Sequence, residues 1–238
     1  MSDERLRELE RRWKETGAAE DETAFLLERV RTGDLAAERV ALAAGLGHRA
    51  SEAASKSLGL DGLDPLGLIL LRSPLQNPGV AYEKDPWPYE GAIAVGVGLA
   101  AVWAALEGLP TPGDLSSEDR ERIETGLRSL EGWLERPEGL SLEAVSPIYE
   151  FAKETSGVAE PDSAGVADHD PRSWVLMAFN HVVSEFYMAA TYEDPAFSEG
   201  WQYSADALAC SLHVTQGDGV RRQARARVVP RLLGYVTR

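Results

Sequence analysis

Cysteine is nearly absent from this chain of 238 residues, which contains only Cys210. A single thiol excludes an intramolecular disulfide, and we expect Cys210 to be a small packing residue on a helix over 199–214. The residues that follow Met1 are charged and form no apolar signal-peptide core. The longest uncharged apolar run covers residues 91–106, which is shorter than the ~20 residues needed to cross a bilayer. We therefore expect a cytoplasmic protein that does not associate with a membrane.

Basic residues are also scarce, with 24 lysines and arginines against 39 acidic residues and a net charge of -15. General nucleic-acid binding requires cations on the phosphates, so this composition argues against it. The same charge favours high solubility and a protein partner with a basic surface. Residues 219–238 are the exception, because they contain six arginines and no acid. We expect these arginines to pair with the acidic remainder of the chain.

Strand patterns do not occur in this sequence, and helical spacing with helical stop signals takes their place. The first 60 residues predict four short helices with glycine turns, which form two αα-hairpins. Residues 9–17, 26–35 and 38–48 read Leu-Glu-Arg-Arg-Trp-Lys-Glu-Thr-Gly, Leu-Leu-Glu-Arg-Val-Arg-Thr-Gly-Asp-Leu and Glu-Arg-Val-Ala-Leu-Ala-Ala-Gly-Leu-Gly-His. These segments resemble a helical module of uncharacterised bacterial proteins. The resemblance implies helical hairpins and a bacterial origin, and it brings no activity and no catalytic residues. His48 closes the motif, and we expect it at a helix C-terminus, where a cation meets the dipole.

Residues 170–192 predict the central helix of the fold. Asp170 is a good N-cap, and Pro171 fits the first helical position, where its missing N–H costs nothing. An apolar stripe then recurs at helical spacing, formed by Val175, Phe179, Val182, Phe186 and Ala190. A helix that is apolar over most of its circumference is usually buried on several sides.

The remaining helices are expected to cover this one. Small residues recur every four positions in a helix over 89–107, at Ala92, Gly96, Ala100 and Ala104, and such a stripe lets a neighbouring helix approach closely. Prolines break residues 61–90. We therefore predict an all-α bundle of about nine helices, with a helical-hairpin module at 1–60, a proline-rich connection at 61–90 and a main bundle at 91–238. One continuous domain over 1–238 fits the same pattern.

A dinucleotide-binding fingerprint is imitated by Gly96-Val-Gly98-Leu-Ala-Ala101. That fingerprint requires a second strand after its helix, whereas Gly-Leu-Pro-Thr-Pro-Gly and another charged helix follow here. We therefore interpret these residues as a packing face and expect no cofactor.

Histidines and carboxylates offer a second chemistry. His181 and Glu185 lie one helical turn apart, and His213 lies on the following helix, so a metal site inside the bundle is one hypothesis. The same spacing equally suits a buried hydrogen-bonded pair. His169, Glu150 and Asp206 are further possible ligands, but no tight ligand motif is present. The alternative function is thus a metal-binding helical-bundle enzyme that uses His181, Glu185 and His213.

Protein–protein interaction is the function that the acidic composition favours, as an adaptor, a regulator or a toxin-neutralising partner of the immunity type. Ser116 or Ser117 is expected to cap a helix whose first turns carry Glu118, Asp119 and Glu121. We predict that these three acids bind another protein with a basic surface, because exposed charge steers such encounters. The sequence leaves the oligomeric state open.

Overall fold

The computed structural model describes residues 2–60, 64–73, 75–76, 90–110, 114–136, 142–156, 170–191 and 202–235. Helices and turns make up this part of the chain and no strand occurs in it, so the predicted all-α class is confirmed. The helices are α1 (Ser2–Thr16), α2 (Ala19–Thr32), α3 (Ala37–Gly45), α4 (Arg49–Ser57), α5 (Pro65–Leu70), α6 (Gly91–Gly108), α7 (Ser117–Glu135), α8 (Leu142–Ser156), α9 (Pro171–Thr191), α10 (Gln202–Leu212), α11 (Gly217–Arg227) and α12 (Val229–Leu232).

The described ranges thus hold twelve helices where the sequence predicts about nine. Two of the additional helices are short elements, since α5 has six residues and α12 has four. Pro230 lies at the start of α12, where a missing N–H is tolerated, so the C-terminal region contains two helices rather than one. Most of the proline-rich region 61–90 lies outside the described residues, and so do residues 157–169, which include His169.

The chain divides into two compact units. The first contains Met1–Leu66 and also Val228–Thr237 from the other end of the chain, while the second contains Gly67–Arg227. The sequence analysis had placed the last residues in the main bundle. In sequence, the second unit is therefore inserted between two segments of the first.

In the first unit, α1 packs against α2 and α3 packs against α4, and α2 also contacts α4. Its apolar core includes Phe25, Leu26, Val40 and Leu46. The Trp13 ring stacks on Phe25 with centroids 5.4 Å apart, so the exposed helix α1 is held by an aromatic contact.

The C-terminal segment completes this core. Helix α12 packs against α3. Tyr235 donates a hydrogen bond from its hydroxyl to Glu22 Oε1 at 2.6 Å, and its ring lies 4.7 Å from that of Trp13. Arg29 donates to the carbonyl oxygen of Leu233. These contacts explain why residues from both ends of the chain form one unit.

His48 follows the end of α3 as predicted, where its amide donates a hydrogen bond to the Ala43 carbonyl oxygen at 3.0 Å, but its side chain serves as the N-cap of α4. Its Nδ1 accepts a hydrogen bond from the Ser51 amide at 3.4 Å, and its Nε2 lies 3.4 Å from Glu22 Oε1. The ring therefore satisfies a free amide at a helix N-terminus instead of meeting the dipole at a C-terminus.

Two helices share the centre of the second unit, whereas the sequence analysis named α9 alone. Every residue of α6 from Ile93 to Val102 is buried, and α6 contacts α7, α9, α10 and α11. The closest approach is at Gly98, where an added β-carbon would lie 2.7 Å from Val182 Cγ2. Close packing between α6 and α9 thus depends on Gly98, which lies outside the predicted four-residue stripe but within the segment 96–101 that the sequence analysis interprets as a packing face.

Helix α9 follows its prediction at the N-terminus and departs from it at the end. Asp170 Oδ1 accepts a hydrogen bond from the Ser173 amide at 2.7 Å, which confirms the cap. The first four stripe residues are fully buried, namely Val175, Phe179, Val182 and Phe186. Ala190 is exposed, so the buried face ends one turn earlier than expected.

Among the described helices, α6 alone is long and apolar enough to span a bilayer by length and composition. In the folded protein 72% of it is buried. The central helix of a bundle has the same composition, because neighbouring helices replace water on all of its sides.

Candidate functional site

The predicted docking acids lie at the start of α7. Ser116 is the N-cap, and its Oγ accepts a hydrogen bond from the Asp119 amide at 3.0 Å. Glu118 and Asp119 occupy the first turn, where free amides and the helix dipole favour negative charge. Apolar residues at helical spacing form the buried face of this helix, comprising Ile123, Leu127, Leu130 and Leu134. The sequence therefore predicted the start of α7 correctly.

A groove of about 350 Å³ lies between α7 and α8, and we refer to it as the α7–α8 groove. Its α7 side is one helix face, because the contributing residues are spaced at i, i+3, i+4 and i+7. It is lined by Glu118, Glu121, Arg122, Thr125, Gly126, Pro147, Ile148 and Phe151. Charged residues thus form one rim, while apolar residues of α8 form the opposite side and the floor.

The floor of this groove is fixed by a tight helix contact at Gly126. A β-carbon added there would lie 2.8 Å from Phe179 Cζ and 3.0 Å from Ile148 Cγ2. Helix α7 can approach α8 and α9 this closely only because Gly126 has no side chain. The rings of Phe151 and Phe179 lie 5.9 Å apart beneath it, which makes the floor continuous with the core.

The three predicted acids differ in their partners. The Asp119 carboxylate pairs with Arg172 at 3.0 Å and is thus already engaged. Glu118 and Glu121 are exposed, and neither forms an ion pair or a side-chain hydrogen bond with any described residue. Glu124 on the same helix shows the contrast, because it pairs with Arg128 at 2.7 Å. Two unpaired carboxylates therefore remain on the rim of the groove.

Arg122 and Phe151 form a contact that the sequence analysis did not identify. The guanidinium carbon of Arg122 lies 3.9 Å from the centroid of the Phe151 ring, which is within the range of a cation–π interaction. The ring itself is 3% exposed, while Arg122 is exposed. The sequence signal that could have identified the α7 side of this contact is the helical spacing of residues 118, 121, 122 and 125. The partner residues on α8 carry no corresponding signal, since sequence does not show which helix faces which.

The metal hypothesis names three residues that lie in different surroundings, namely His181, Glu185 and His213. Among the described residues, no group of three histidine, cysteine or acidic side chains lies close enough to hold a metal ion. The His181 ring is partly buried and lies 6.3 Å from the Tyr203 ring. Burial lowers the pKa of His181 from 6.5 to about 4, so the ring is neutral at pH 7.

Glu185 binds the start of α10. It is 1% exposed, and its Oε2 accepts hydrogen bonds from the Ser204 amide and the Ser204 hydroxyl, each at 2.8 Å. Ser204 Oγ also lies 2.7 Å from the carbonyl oxygen of Ala94 on α6. Because Ser204 is in the first turn of α10, the carboxylate caps that helix from outside it. This geometry gives Glu185 a structural role in joining α6, α9 and α10.

His213 lies apart from the other two residues. Its ring stacks on that of Trp174 with centroids 3.9 Å apart and an interplanar angle of 7°. Trp174 precedes His181 by seven residues, which is about 10 Å along a helix axis at ~1.5 Å per residue. The stack therefore holds His213 near the N-terminal part of α9, away from His181.

Cys210 and Asp206 belong to the interior of α10. Asp206 is 4% exposed and accepts a hydrogen bond from the Ser73 hydroxyl at 2.6 Å. Burial, together with the charge of Asp206, raises the pKa of the Cys210 thiol. Since the thiolate is the nucleophilic form, this thiol is unreactive, in agreement with the packing role expected from the sequence.

The arginines of α11 pair with acids of the second unit. Arg222 binds Glu107 at 2.9 Å, and Arg227 binds Glu131 at 2.6 Å. The Trp103 indole N–H donates to the same Glu131 oxygen at 2.9 Å. The expectation that basic residues of the C-terminal region pair with the acidic body is confirmed for these two arginines.

Comparisons of the chain with known protein families, with curated proteins and with solved structures each found no match.

Proposed function

We propose that this protein functions by protein–protein interaction and that the α7–α8 groove docks a basic segment of its partner. The observation that carries the proposal is the rim, where Glu118 and Glu121 are exposed and unpaired with any described residue beside an apolar floor. Polar rims around apolar centres are the usual anatomy of a protein interface. A basic partner side chain would supply the missing counter-charge while apolar neighbours cover Ile148 and Pro147.

The charge of the whole chain supports the same partner chemistry. A net charge of -15 attracts a basic surface over long distances and accelerates its encounter. In our proposal the protein is a cytoplasmic adaptor, regulator or toxin-neutralising partner of bacterial origin. The paired helices α1–α2 and α3–α4 are its helical-hairpin module.

The test is a comparison of two double charge reversals. Glu118→Lys with Glu121→Lys changes the rim, and Glu38→Lys with Glu52→Lys is the matched control. Glu38 and Glu52 are exposed acids in the first turns of α3 and α4, so net charge changes equally. Partners captured from a lysate of the source organism would be identified, purified and titrated against each variant by calorimetry.

We expect the rim variant to lose at least ten-fold in affinity, because it replaces two attractions with two repulsions and each ~1.4 kcal/mol is a factor of ten. The control should lose much less. Equal losses in the two variants would show that net charge alone matters, and an unchanged rim variant would exclude the α7–α8 groove as the docking surface. Circular dichroism of both variants would verify that each is folded.

A further inference from the structure

We propose that the α7–α8 groove recognises an arginine side chain and that Arg122 occupies this position in the free protein. The inference rests on the proposed function, because it names the side chain that the groove receives. Arg122 would then act as an internal competitor that a partner arginine displaces.

The geometry of Arg122 identifies the position. Its guanidinium carbon lies 3.9 Å from the centroid of Phe151, at the apolar floor of the groove. The face of an aromatic ring is electron-rich and attracts a cation, and a planar guanidinium also stacks on it. The floor therefore already accommodates one guanidinium group.

The rim of the groove supplies two carboxylates that form no ion pair with Arg122. Glu118 lies one helical turn before Arg122, and Glu121 is adjacent to it in sequence, yet neither carboxylate pairs with Arg122 or with any other described residue. A guanidinium group carries five N–H donors in a fixed fork that fits carboxylates. An incoming arginine can thus stack on Phe151 and donate to the rim, whereas Arg122 makes the first contact alone.

Displacement of Arg122 from the Phe151 ring costs little free energy. Its side chain is exposed, and no ion pair holds it among the described residues. A cation–π contact at an exposed position is weak, so its loss changes affinity by about two- to five-fold. Arg122 therefore lowers the affinity of the groove modestly, and it does so for every ligand that has to displace it.

Arginine is favoured over lysine by the same geometry. The lysine ammonium is a compact and strongly hydrated charge, which lacks both the planar face that stacks on a ring and the fixed fork of donors that fits carboxylates. A lysine probe should consequently bind more weakly than an arginine probe, although the two have equal charge.

The test uses N-acetyl-arginine amide as the probe, with the lysine and citrulline analogues for comparison. Citrulline has the same shape as arginine and no charge. Each would be titrated into protein labelled at phenylalanine, with the Phe151 ring signals followed by NMR. The variants are Arg122→Gln, the double variant Glu118→Gln with Glu121→Gln, and Arg128→Gln. Arg128 is on the same helix and pairs with Glu124, so its removal changes net charge equally and leaves Phe151 covered.

We expect Arg122→Gln to bind the arginine probe about two- to five-fold more tightly than Arg128→Gln does. The Glu118→Gln, Glu121→Gln variant should bind it more weakly than the wild type, and citrulline should not bind. Equal affinity in Arg122→Gln and Arg128→Gln would overturn the competitor role. Equal binding of lysine and arginine would overturn the preference for guanidinium.

Failure of this inference is distinguishable from failure of the proposed function. If no variant binds the arginine probe while the rim reversal still abolishes partner binding, the arginine assignment is wrong and the docking surface stands. If the probe binds but the rim reversal leaves partner binding unchanged, the groove binds arginine without being the docking surface. All of these substitutions are at exposed positions, so loss of folding is not expected to obscure the result.

Discussion

Two pairs of carboxylates in the second unit differ in what surrounds them. Glu185 and Asp206 are buried, and each accepts hydrogen bonds from a serine of another segment. Glu118 and Glu121 are exposed, and among the described residues they accept none. Glu185 joins α9 to α10 and Asp206 holds the segment after α5 against α10, whereas the second pair faces the α7–α8 groove.

The comparison shows that burial decides whether an acid is bound to groups of the protein itself or remains available to a ligand. A carboxylate removed from water destabilises the fold unless donors replace its hydration, so buried acids are committed to their partners. An exposed acid remains hydrated and needs no partner in the folded protein, so it stays available to a ligand. Available charge beside an apolar floor is therefore a better indication of function here than the buried polar residues are.

The largest expected effect comes from Phe179, whose ring lies in the core beneath the α7–α8 groove. It is fully buried, and it contacts the ring of Phe151. Phe179→Ala should destabilise the protein by about 3–5 kcal/mol, because a large cavity opens where α7, α8 and α9 meet. Tyr187→Ala on the same helix is the control, since Tyr187 is 40% exposed. Urea denaturation would measure both, and a loss below about 1 kcal/mol for Phe179→Ala would show that this junction is not the core.

The second effect compares the two pairs of acids directly. Glu185→Ala should cost about 2–4 kcal/mol, because the Ser204 amide loses its acceptor in a buried environment. Glu118→Ala should change stability by less than about 0.5 kcal/mol, as surface substitutions usually do. Chemical denaturation at neutral pH measures both. Similar costs at the two positions would contradict the distinction between committed and available carboxylates.

A smaller effect is expected from His181 as the pH falls. Its pKa in the folded protein is about 4, below the ordinary 6.5. Between these two values the unfolded chain binds a proton at this residue and the folded chain does not, so stability decreases as pH falls from 6.5 toward 4. The full shift corresponds to about 3 kcal/mol, and partial exposure of the ring reduces this to about 1–2 kcal/mol.

Stability would be measured at several pH values for the wild type and for His181→Gln, and the variant should lose part of the pH dependence. A wild-type slope retained in His181→Gln would show that other groups dominate this window.

Much of the fold was predictable because it depends on local spacing. The caps at Asp170 and Ser116 and the buried stripes of α7 and α9 follow from residues within a few turns of one another. The joining of Val228–Thr237 to the first unit was not predictable, since it depends on contacts such as Tyr235 with Glu22. These residues are more than 200 positions apart, and no pattern within the C-terminal segment marks its partner.

The candidate site divides in the same way. The sequence identified Glu118, Asp119 and Glu121 as exposed acids at a helix start, but it could not show that Arg172 already neutralises Asp119. It also treated His181 and Glu185 as one pair because they are a turn apart. In the fold Glu185 binds Ser204 on α10, since a buried carboxylate requires donors, and the amides of a helix N-terminus provide them.

The smallest effect concerns how a partner reaches the rim. Each exposed charge contributes at most about 1 kcal/mol to binding, and it acts mainly on the rate of association. Charge reversal at Glu118 and Glu121 should slow association several-fold and change dissociation less, whereas Asp119→Asn should have little effect because Arg172 already pairs with Asp119.

Association of the wild type should also slow steeply between 0.05 and ~0.5 M salt, since the Debye length falls well below ~10 Å in this range. Surface plasmon resonance with the identified partner would give both rates. A partner whose association ignores salt, or which is affected as strongly by Asp119→Asn as by Glu118→Lys, would dock through apolar contacts or through a different face of α7.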